Sequence, residues 1–154
     1  MGHIISQNGI EPDPEKVKAL ILLAAPSTSK QLQTFVEKVK YMSRFIHLAS
    51  QLLYPLQQAM RREPLQWDEE CEGVFEKVKE VLGGLSSVQA PDFSQTFYVN
   101  PSFGPDAVGA ILMQKGEGSR YMKPVYYASR VKTEAERRYT EAELVLSSLV
   151  YACR

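Results

Sequence analysis

The sequence is poor in the residues that mark secreted, zinc-binding or membrane proteins. Two cysteines and two histidines occur in 154 residues, and no CxxC pair or Cys/His cluster is formed, so neither a disulfide framework nor a zinc site is expected. No apolar run approaches the ~20 residues of a membrane span, and the first ten residues lack a signal-peptide pattern. These absences predict an intracellular protein, cytoplasmic or nuclear, with no membrane partner.

An excess of charge is also missing. Eighteen basic residues balance eighteen acidic ones, so no global positive field attracts a polyanion, and any nucleic-acid contact must come from a local patch. The apolar share of 44% is enough for one ordinary domain, or two small ones, with a real core.

Apolar periodicity predicts a helical first half. Residues 1–13 read as a short β-hairpin around Asn8-Gly9, which is a strong turn pair. Helices are expected to begin after Asp13, Thr28 and Asp68, three good N-caps. A weaker helix over roughly 50–61 is expected to break or kink before Pro55.

The second of these helices carries the basic residues of interest. Its apolar stripe runs from Leu32 to Ile46, and its outer faces carry Lys30, Lys38, Lys40 and Arg44. Such charges are often only solvated, but they could also follow a phosphate backbone.

The second half reads as strands followed by a helix. Extended segments are predicted at 96–99, 108–114 and 124–129, with a turn at 116–118. A final helix is expected to start near Thr133 or Tyr139. Its predicted buried side consists of Ala142, Val145, Leu146, Leu149, Val150 and Cys153.

Several motifs, in order along nearly the whole chain, resemble gypsy-type LTR retrotransposon reverse transcriptases. The segment Gly9-Ile10-Glu11-Pro12-Asp13-Pro14 looks like the family's join between palm and thumb, and Tyr41-Met42-Ser43-Arg44-Phe45-Ile46 is similar to its thumb helix. The segment Trp67-Asp68-Glu69-Glu70-Cys71 resembles the connector that follows the thumb. The segment Lys123-Pro124-Val125-Tyr126-Tyr127 resembles the attached RNase H domain, and its sequence is most similar to that of plant members of the family.

The resemblance implies an α+β fold: a helical thumb-like segment followed by an incomplete RNase H-like domain, a three-stranded antiparallel sheet plus a helix. The implied division is a palm-end hairpin at 1–13, a thumb and connection region at 14–88, and an RNase H-like domain at 89–154 that is truncated at its C-terminus. The polymerase would be missing its catalytic strand, since no Asp-Asp pair occurs.

The resemblance also places the nuclease carboxylates, and the chain departs from the pattern at the first position and, in the alignment that preserves the distance from Tyr139 and the helix pattern, at the second. Asn100 stands where the family has its first Asp; if the gap falls elsewhere, Ser102 takes that place, and Asp106 is the nearest carboxylate. The family's Glu corresponds to Val145, or to Glu143 in a frame shifted by two residues. The remaining catalytic Asp residues would lie beyond residue 154, so no catalytic residue and no metal ligand is expected.

Three hypotheses follow. The first is a non-catalytic segment of a Pol polyprotein that weakly contacts an RNA/DNA hybrid or template-primer duplex, alongside the rest of Pol, with no cofactor and no small-molecule substrate. The second is a truncated record of an active RNase H and RNA-directed DNA polymerase, which alone would require Mg²⁺. The third is a helical protein-interaction module retained by a host.

Overall fold

The computed structural model describes residues 3–6, 9–62, 64–116 and 118–154. A hairpin of β1 (His3–Ser6) and β2 (Gly9–Pro12) precedes a helical region, and a sheet with one helix follows it. The helices of the first region are α1 (Pro14–Ile21), α2 (Ser29–Tyr41), α3 (Ala49–Ala59) and α4 (Glu69–Gly83). The second region contains β3 (Tyr98–Phe103), β4 (Ala107–Lys115), β5 (Met122–Val131) and α5 (Glu141–Ala152). The predicted α+β class is confirmed.

Side-chain caps explain where the helices begin. Asp13, Thr28 and Asp68 each accept a hydrogen bond from a backbone N–H of the first turn of α1, α2 and α4. Each bond satisfies one of the N–H groups that a helix start leaves without a partner. All three predicted starts are therefore confirmed.

The helices enclose one apolar core. Phe35 of α2 and Phe75 of α4 lie with ring centroids 4.7 Å apart, and Trp67 packs edge-on against Phe75 at 5.7 Å. Burying each of the two phenylalanine side chains contributes about 1.5–3 kcal/mol. Among the described residues, no helix is both long and apolar enough to cross a membrane.

Two helix boundaries differ from expectation. The stripe predicted to reach Ile46 in one helix is divided, because α2 ends at Tyr41 and a 3₁₀ turn covers Ser43–Phe45. The break expected at Pro55 is wrong, since α3 continues through that residue. Leu53 and Leu56 on either side of it are fully buried, so packing outweighs the lost backbone hydrogen bond.

The hairpin is joined to the end of the helical region. Ile10 N–H donates to the Val88 carbonyl at 2.8 Å, and Val88 N–H donates back at 2.9 Å. The predicted turn at Asn8 lies outside the described residues, and the division at 88/89 stays a prediction.

The two faces of the three-stranded sheet are covered by different helices. The order is β3-β4-β5, all antiparallel. Ser129 of β5 accepts a hydrogen bond at its Oγ from the Ser50 N–H of α3, at 3.0 Å. The Nη2 atom of the adjacent Arg130 lies 3.5 Å from Ser147 Oγ of α5. Since successive strand residues face opposite sides, α3 and α5 cover opposite faces.

The predicted buried side of α5 is wrong. Leu144 and Ser148 are its buried residues, whereas Leu146 is 62% and Val150 54% exposed, and Cys153 is exposed. Ser148 faces the sheet, where its Oγ lies 2.8 Å from the Leu144 carbonyl of its own helix and 3.1 Å from the Ser102 carbonyl of β3. The hydropathy pattern alone could not show these contacts.

Candidate nucleic-acid interface and the nuclease positions

The three lysines predicted to contact nucleic acid lie on the solvent side of α2. Lys30, Lys38 and Lys40 are exposed, while the buried residues of the helix occupy its other side. At 100° per residue, Lys38 and Lys40 lie about 80° on either side of Lys30. None of the three forms an ion pair within the described part of the chain. Their ammonium groups are therefore available to a polyanion.

Arg44 has a different environment. It lies in the 3₁₀ turn after α2 and is half-buried. Its guanidinium stands over the Tyr126 ring of β5, 5.1 Å from the centroid, and its Nη1 is 3.5 Å from His3 Nε2. The Tyr126 contact connects this turn to the three-stranded sheet and the His3 contact connects it to the N-terminal hairpin, so Arg44 is placed differently from the three lysines.

The two alternatives for the first nuclease position project from the sheet on the α3 side. Ser102 is paired with Gly109, and Gly109 with Ser129. Side chains directly opposite each other in a sheet share a face, and Ser129 contacts α3. Asn100, two residues before Ser102, has the same orientation. Both positions therefore face away from α5.

Asp106, the nearest carboxylate, is held in a bridge between the sheet region and α3. Its side chain accepts hydrogen bonds from Arg137 Nη1 at 2.8 Å and Gln51 Nε2 at 3.1 Å. Burial alone would raise the pKa of Asp106, but these two hydrogen bonds lower it below its usual value. Arg137 Nη2 also donates to Tyr54 Oη at 2.8 Å, so the carboxylate is fixed as a structural acceptor.

The two alternatives for the second nuclease position lie in the first turns of α5. Glu143 forms a capping box with Thr140, whose N–H and hydroxyl both donate to Glu143 Oε2 at 2.8 Å. The Thr140 hydrogen bonds lower the pKa of Glu143. Val145 is half-buried and apolar. The carboxylate of Glu143 thus serves to start the helix.

These positions do not fit a pair of divalent cations. Catalysis with two metals needs several carboxylates converging within a few ångströms. Asn100 and Ser102 are uncharged, and Asp106 and Glu143 are engaged elsewhere. The described residues contain no group of three His, Cys, Asp or Glu side chains placed to hold a metal ion.

A buried ion pair near these positions was missed by sequence reasoning. Glu136, 6% exposed, accepts hydrogen bonds from Arg130 Nη1 and Nη2, both at 2.6 Å, and from the Thr133 N–H at 2.8 Å. Ser147 of α5 also donates to Glu136. The Arg130 hydrogen bonds hold the pKa of Glu136 well below its usual range. The sequence does contain a signal for this cluster: Thr133 and Glu136 have the Thr-x-x-Glu spacing of a capping box, which indicates that the Glu136 carboxylate bonds near Thr133.

Comparison with known proteins places this architecture in a family. Residues 67–154 match the sequence model of the RNase H-like domain found in reverse transcriptase. The chain is 28% identical over 156 aligned residues to the retrovirus-related Pol polyprotein from transposon 297 of Drosophila melanogaster. It is 25% identical over 151 residues to the transposon Tf2-3 polyprotein of Schizosaccharomyces pombe. The alignments cover 100% and 97% of this chain but only 14% and 11% of those proteins.

Solved structures share the fold over nearly the whole chain. The foamy viral protease-reverse transcriptase in complex with dsDNA superposes with a TM-score of 0.85 at 22% identity, over 99% of this chain and 32% of that one. The same protein in complex with an RNA/DNA hybrid gives a TM-score of 0.84 at 22% identity, over 99% of this chain and 21% of that one.

Proposed function

We propose, since this chain belongs to the family of RNase H-like domains found in reverse transcriptase, that it is a non-catalytic part of a retrotransposon Pol polyprotein. In this role its helix α2 contacts the backbone of an RNA/DNA hybrid or template-primer duplex, and the RNase H-like region serves as a tether. The observation that carries the proposal is the set of exposed lysines on α2.

Local charge supports duplex contact by α2. The helix holds three lysines and one acid, Glu37, so it carries a net charge of +2 in a chain whose total is zero. The carboxylate of Glu37 accepts a hydrogen bond from Gln33 at 2.8 Å and pairs with none of the lysines. Phosphate contacts of this kind give weak, sequence-independent binding that falls as salt rises.

We propose no cofactor and no nuclease chemistry for these residues. The resemblance puts Asn100 or Ser102 where the first acid belongs, and Val145 or Glu143 where the second belongs; the carboxylate of Glu143 completes a helix cap. Without converging negative ligands a pair of magnesium ions is not held.

The finer identity we propose is a gypsy-type LTR element close to its plant members, acting within the cell in the cytoplasm or nucleus. The support is the sequence motifs that run from the hairpin to β5. The other partner is the rest of the Pol polyprotein, with no membrane and no small-molecule substrate.

Neutralising the lysines of α2 tests the duplex contact. We expect the Lys30→Gln, Lys38→Gln, Lys40→Gln triple variant to bind a fluorescein-labelled RNA/DNA hybrid more weakly at low salt. The slope of log K against log salt should become shallower by about 0.9 for each lysine that contacts a phosphate. Fluorescence anisotropy over a salt series measures both quantities.

The matched pair of single variants is Lys38→Gln and Lys77→Gln, because Lys77 is an exposed lysine of α4 and each replacement removes one positive charge. Lys77→Gln should leave hybrid binding within about twofold of the parent, whereas Lys38→Gln should weaken it and make the salt slope shallower, because only α2 is proposed to touch phosphate. The proposed contact would be rejected if the parent chain did not bind the hybrid at low salt. It would also be rejected if Lys77→Gln and Lys38→Gln lost the same amount of hybrid affinity.

A cleavage assay tests the non-catalytic part of the proposal. The full 154-residue chain, mixed with a labelled RNA/DNA hybrid and magnesium, should give no products above the chelator control. Cleavage that depends on magnesium and survives further purification would overturn this part while leaving the duplex contact open.

A further inference from the structure

Two aromatic side chains stand in solvent at one end of the sheet. Phe93 is 86% exposed and Tyr121 is 80% exposed, more than any other large hydrophobic side chain described. The ring of Phe97 lies 5.9 Å from that of Phe93 and supports it from one side. Two aromatic rings in water lack the stabilisation that burial would give them. Binding of a ligand that covers the rings would supply it.

The turn that presents Phe93 is firmly built. Gln114 of β4 is fully buried; its Oε1 accepts from the Asp92 N–H at 3.0 Å, and its Nε2 donates to the Asp92 carbonyl at 2.7 Å. The Asp92 carboxylate accepts from the Ser94 hydroxyl at 2.7 Å and from Gln95 Nε2 at 2.8 Å. The backbone on both sides of Phe93 is therefore fixed, and its ring is displayed with little freedom to fold back.

Strand register brings Tyr121 to the same face. Gln114 is paired with Lys123, and the Gly116 N–H donates to the Tyr121 carbonyl at 3.2 Å. Residues paired across strands share a face, and alternate residues along a strand also share one. Lys123, Tyr121 and the turn held by Gln114 therefore lie on one side of the sheet. We name Phe93, Phe97, Tyr121 and Lys123, together with Arg120 as the exposed chain neighbour of Tyr121, the aromatic patch.

The patch is basic. By sequence the hairpin 115–123 has three basic residues and one acid, a net charge of +2; Lys115, which follows Gln114 in β4, faces the other side of the sheet, so the patch itself contains Arg120 and Lys123. The three basic side chains are exposed, and none of them pairs with an acid in the described ranges. The turn adds one carboxylate, Asp92, which accepts three hydrogen bonds from Ser94 and Gln95, so Arg120 and Lys123 stand against one acid.

We propose that the aromatic patch binds single-stranded nucleic acid, with unpaired bases stacked on Phe93 and Tyr121 and phosphates near Arg120 and Lys123. Rings presented beside cations are what such a strand requires, because every base offers a π face and every phosphate a charge. A base inside a duplex is already stacked and cannot cover these rings. The site is separate from the lysines of α2 and differs from them in its ligand.

The test uses anisotropy of the full chain with a fluorescein-labelled oligothymidylate of about 20 nucleotides, a length that exceeds a typical single-strand site. Phe93→Ala and Tyr121→Ala should each weaken binding about tenfold, within the range measured for base stacking on one ring. Tyr139→Ala, a 41% exposed tyrosine elsewhere, should have no effect. Since Phe93 is exposed, circular dichroism should show the variants folded.

Two further variants separate stacking from simple apolar contact. Phe93→Leu should bind as weakly as Phe93→Ala, whereas Phe93→Trp should restore binding and show indole fluorescence quenched by the oligonucleotide. Replacing Arg120 and Lys123 by Gln should reduce the salt slope by about 0.7 per contact. If Phe93→Leu binds as well as the parent chain, or if the parent does not bind the single strand at low salt, the proposal is overturned.

The same experiment distinguishes this site from the proposed duplex contact. The Lys30, Lys38 and Lys40 triple variant should lose hybrid binding and keep oligothymidylate binding, and Phe93→Ala with Tyr121→Ala should do the reverse. Loss of both ligands in both sets of variants would indicate one shared, nonspecific surface and would reject the aromatic patch as a separate site.

Discussion

Replacing Glu136 by glutamine is expected to lower the free energy of unfolding by about 2–3 kcal/mol. The carboxylate receives both Nη groups of Arg130, the Thr133 N–H and the Ser147 hydroxyl, so it joins β5 to α5. Removing one member of a buried ion pair leaves the other charge uncompensated, which costs about 3–5 kcal/mol. The Arg130 side chain is 34% exposed, and solvent screening reduces that cost. Urea denaturation followed by circular dichroism measures the change.

Glu134→Gln is the matched control for this prediction. Glu134 is 95% exposed and approaches Arg137 only at 3.8 Å, so its replacement should change the free energy of unfolding by less than about 0.5 kcal/mol. Equal urea midpoints for the two variants would show that the Glu136 pair contributes little to stability.

The same carboxylate should make stability depend on acid. Hydrogen bonds from Arg130 lower the pKa of Glu136 in the folded state below its ordinary 4.5, so the unfolded chain binds a proton more readily. Its contribution is therefore complete above pH 4.5 and is lost as the pH falls further. The urea midpoint should be flat from about pH 7 to 5 and decline below 4.5, with a smaller decline in Glu136→Gln.

Replacing Gly9 by alanine is expected to destabilise the chain by roughly 3 kcal/mol. Gly9 has a φ of +118°, and a Cβ there would lie 2.2 Å from the Val88 carbonyl oxygen. A side chain in this backbone region costs about 1–3 kcal/mol. The clash also separates the two Ile10–Val88 hydrogen bonds, worth about 1 kcal/mol each. Thermal or urea unfolding would measure the loss.

Gly73→Ala provides the control of opposite sign. Gly73 lies within α4, and a Cβ added there meets nothing within 4 Å, so alanine should stabilise the helix by about 0.5–1 kcal/mol. If Gly9→Ala unfolds no more easily than the parent chain, the attachment of the hairpin to Val88 is not important for stability.

The sequence predicted those features that depend on neighbours along the chain. Helix starts at Asp13, Thr28 and Asp68 are local events, because a cap bonds an N–H two or three residues away. The α+β order and the exposed lysines of α2 follow from apolar periodicity. Pro55 shows the limit of such reasoning, since a local preference for a break gave way to the burial of Leu53 and Leu56.

Other features depend on residues far apart in sequence, and only the tertiary structure decided them. The rotation of α5, with Leu146 outside and Ser148 inside, brings the Ser148 hydroxyl within 3.1 Å of the Ser102 carbonyl, 46 residues away. The engagement of Asp106 by Gln51 and Arg137 joins segments 55 and 31 residues apart. The physical reason is that periodicity records which residues prefer burial, whereas the partner that receives each polar side chain is fixed only when distant segments meet.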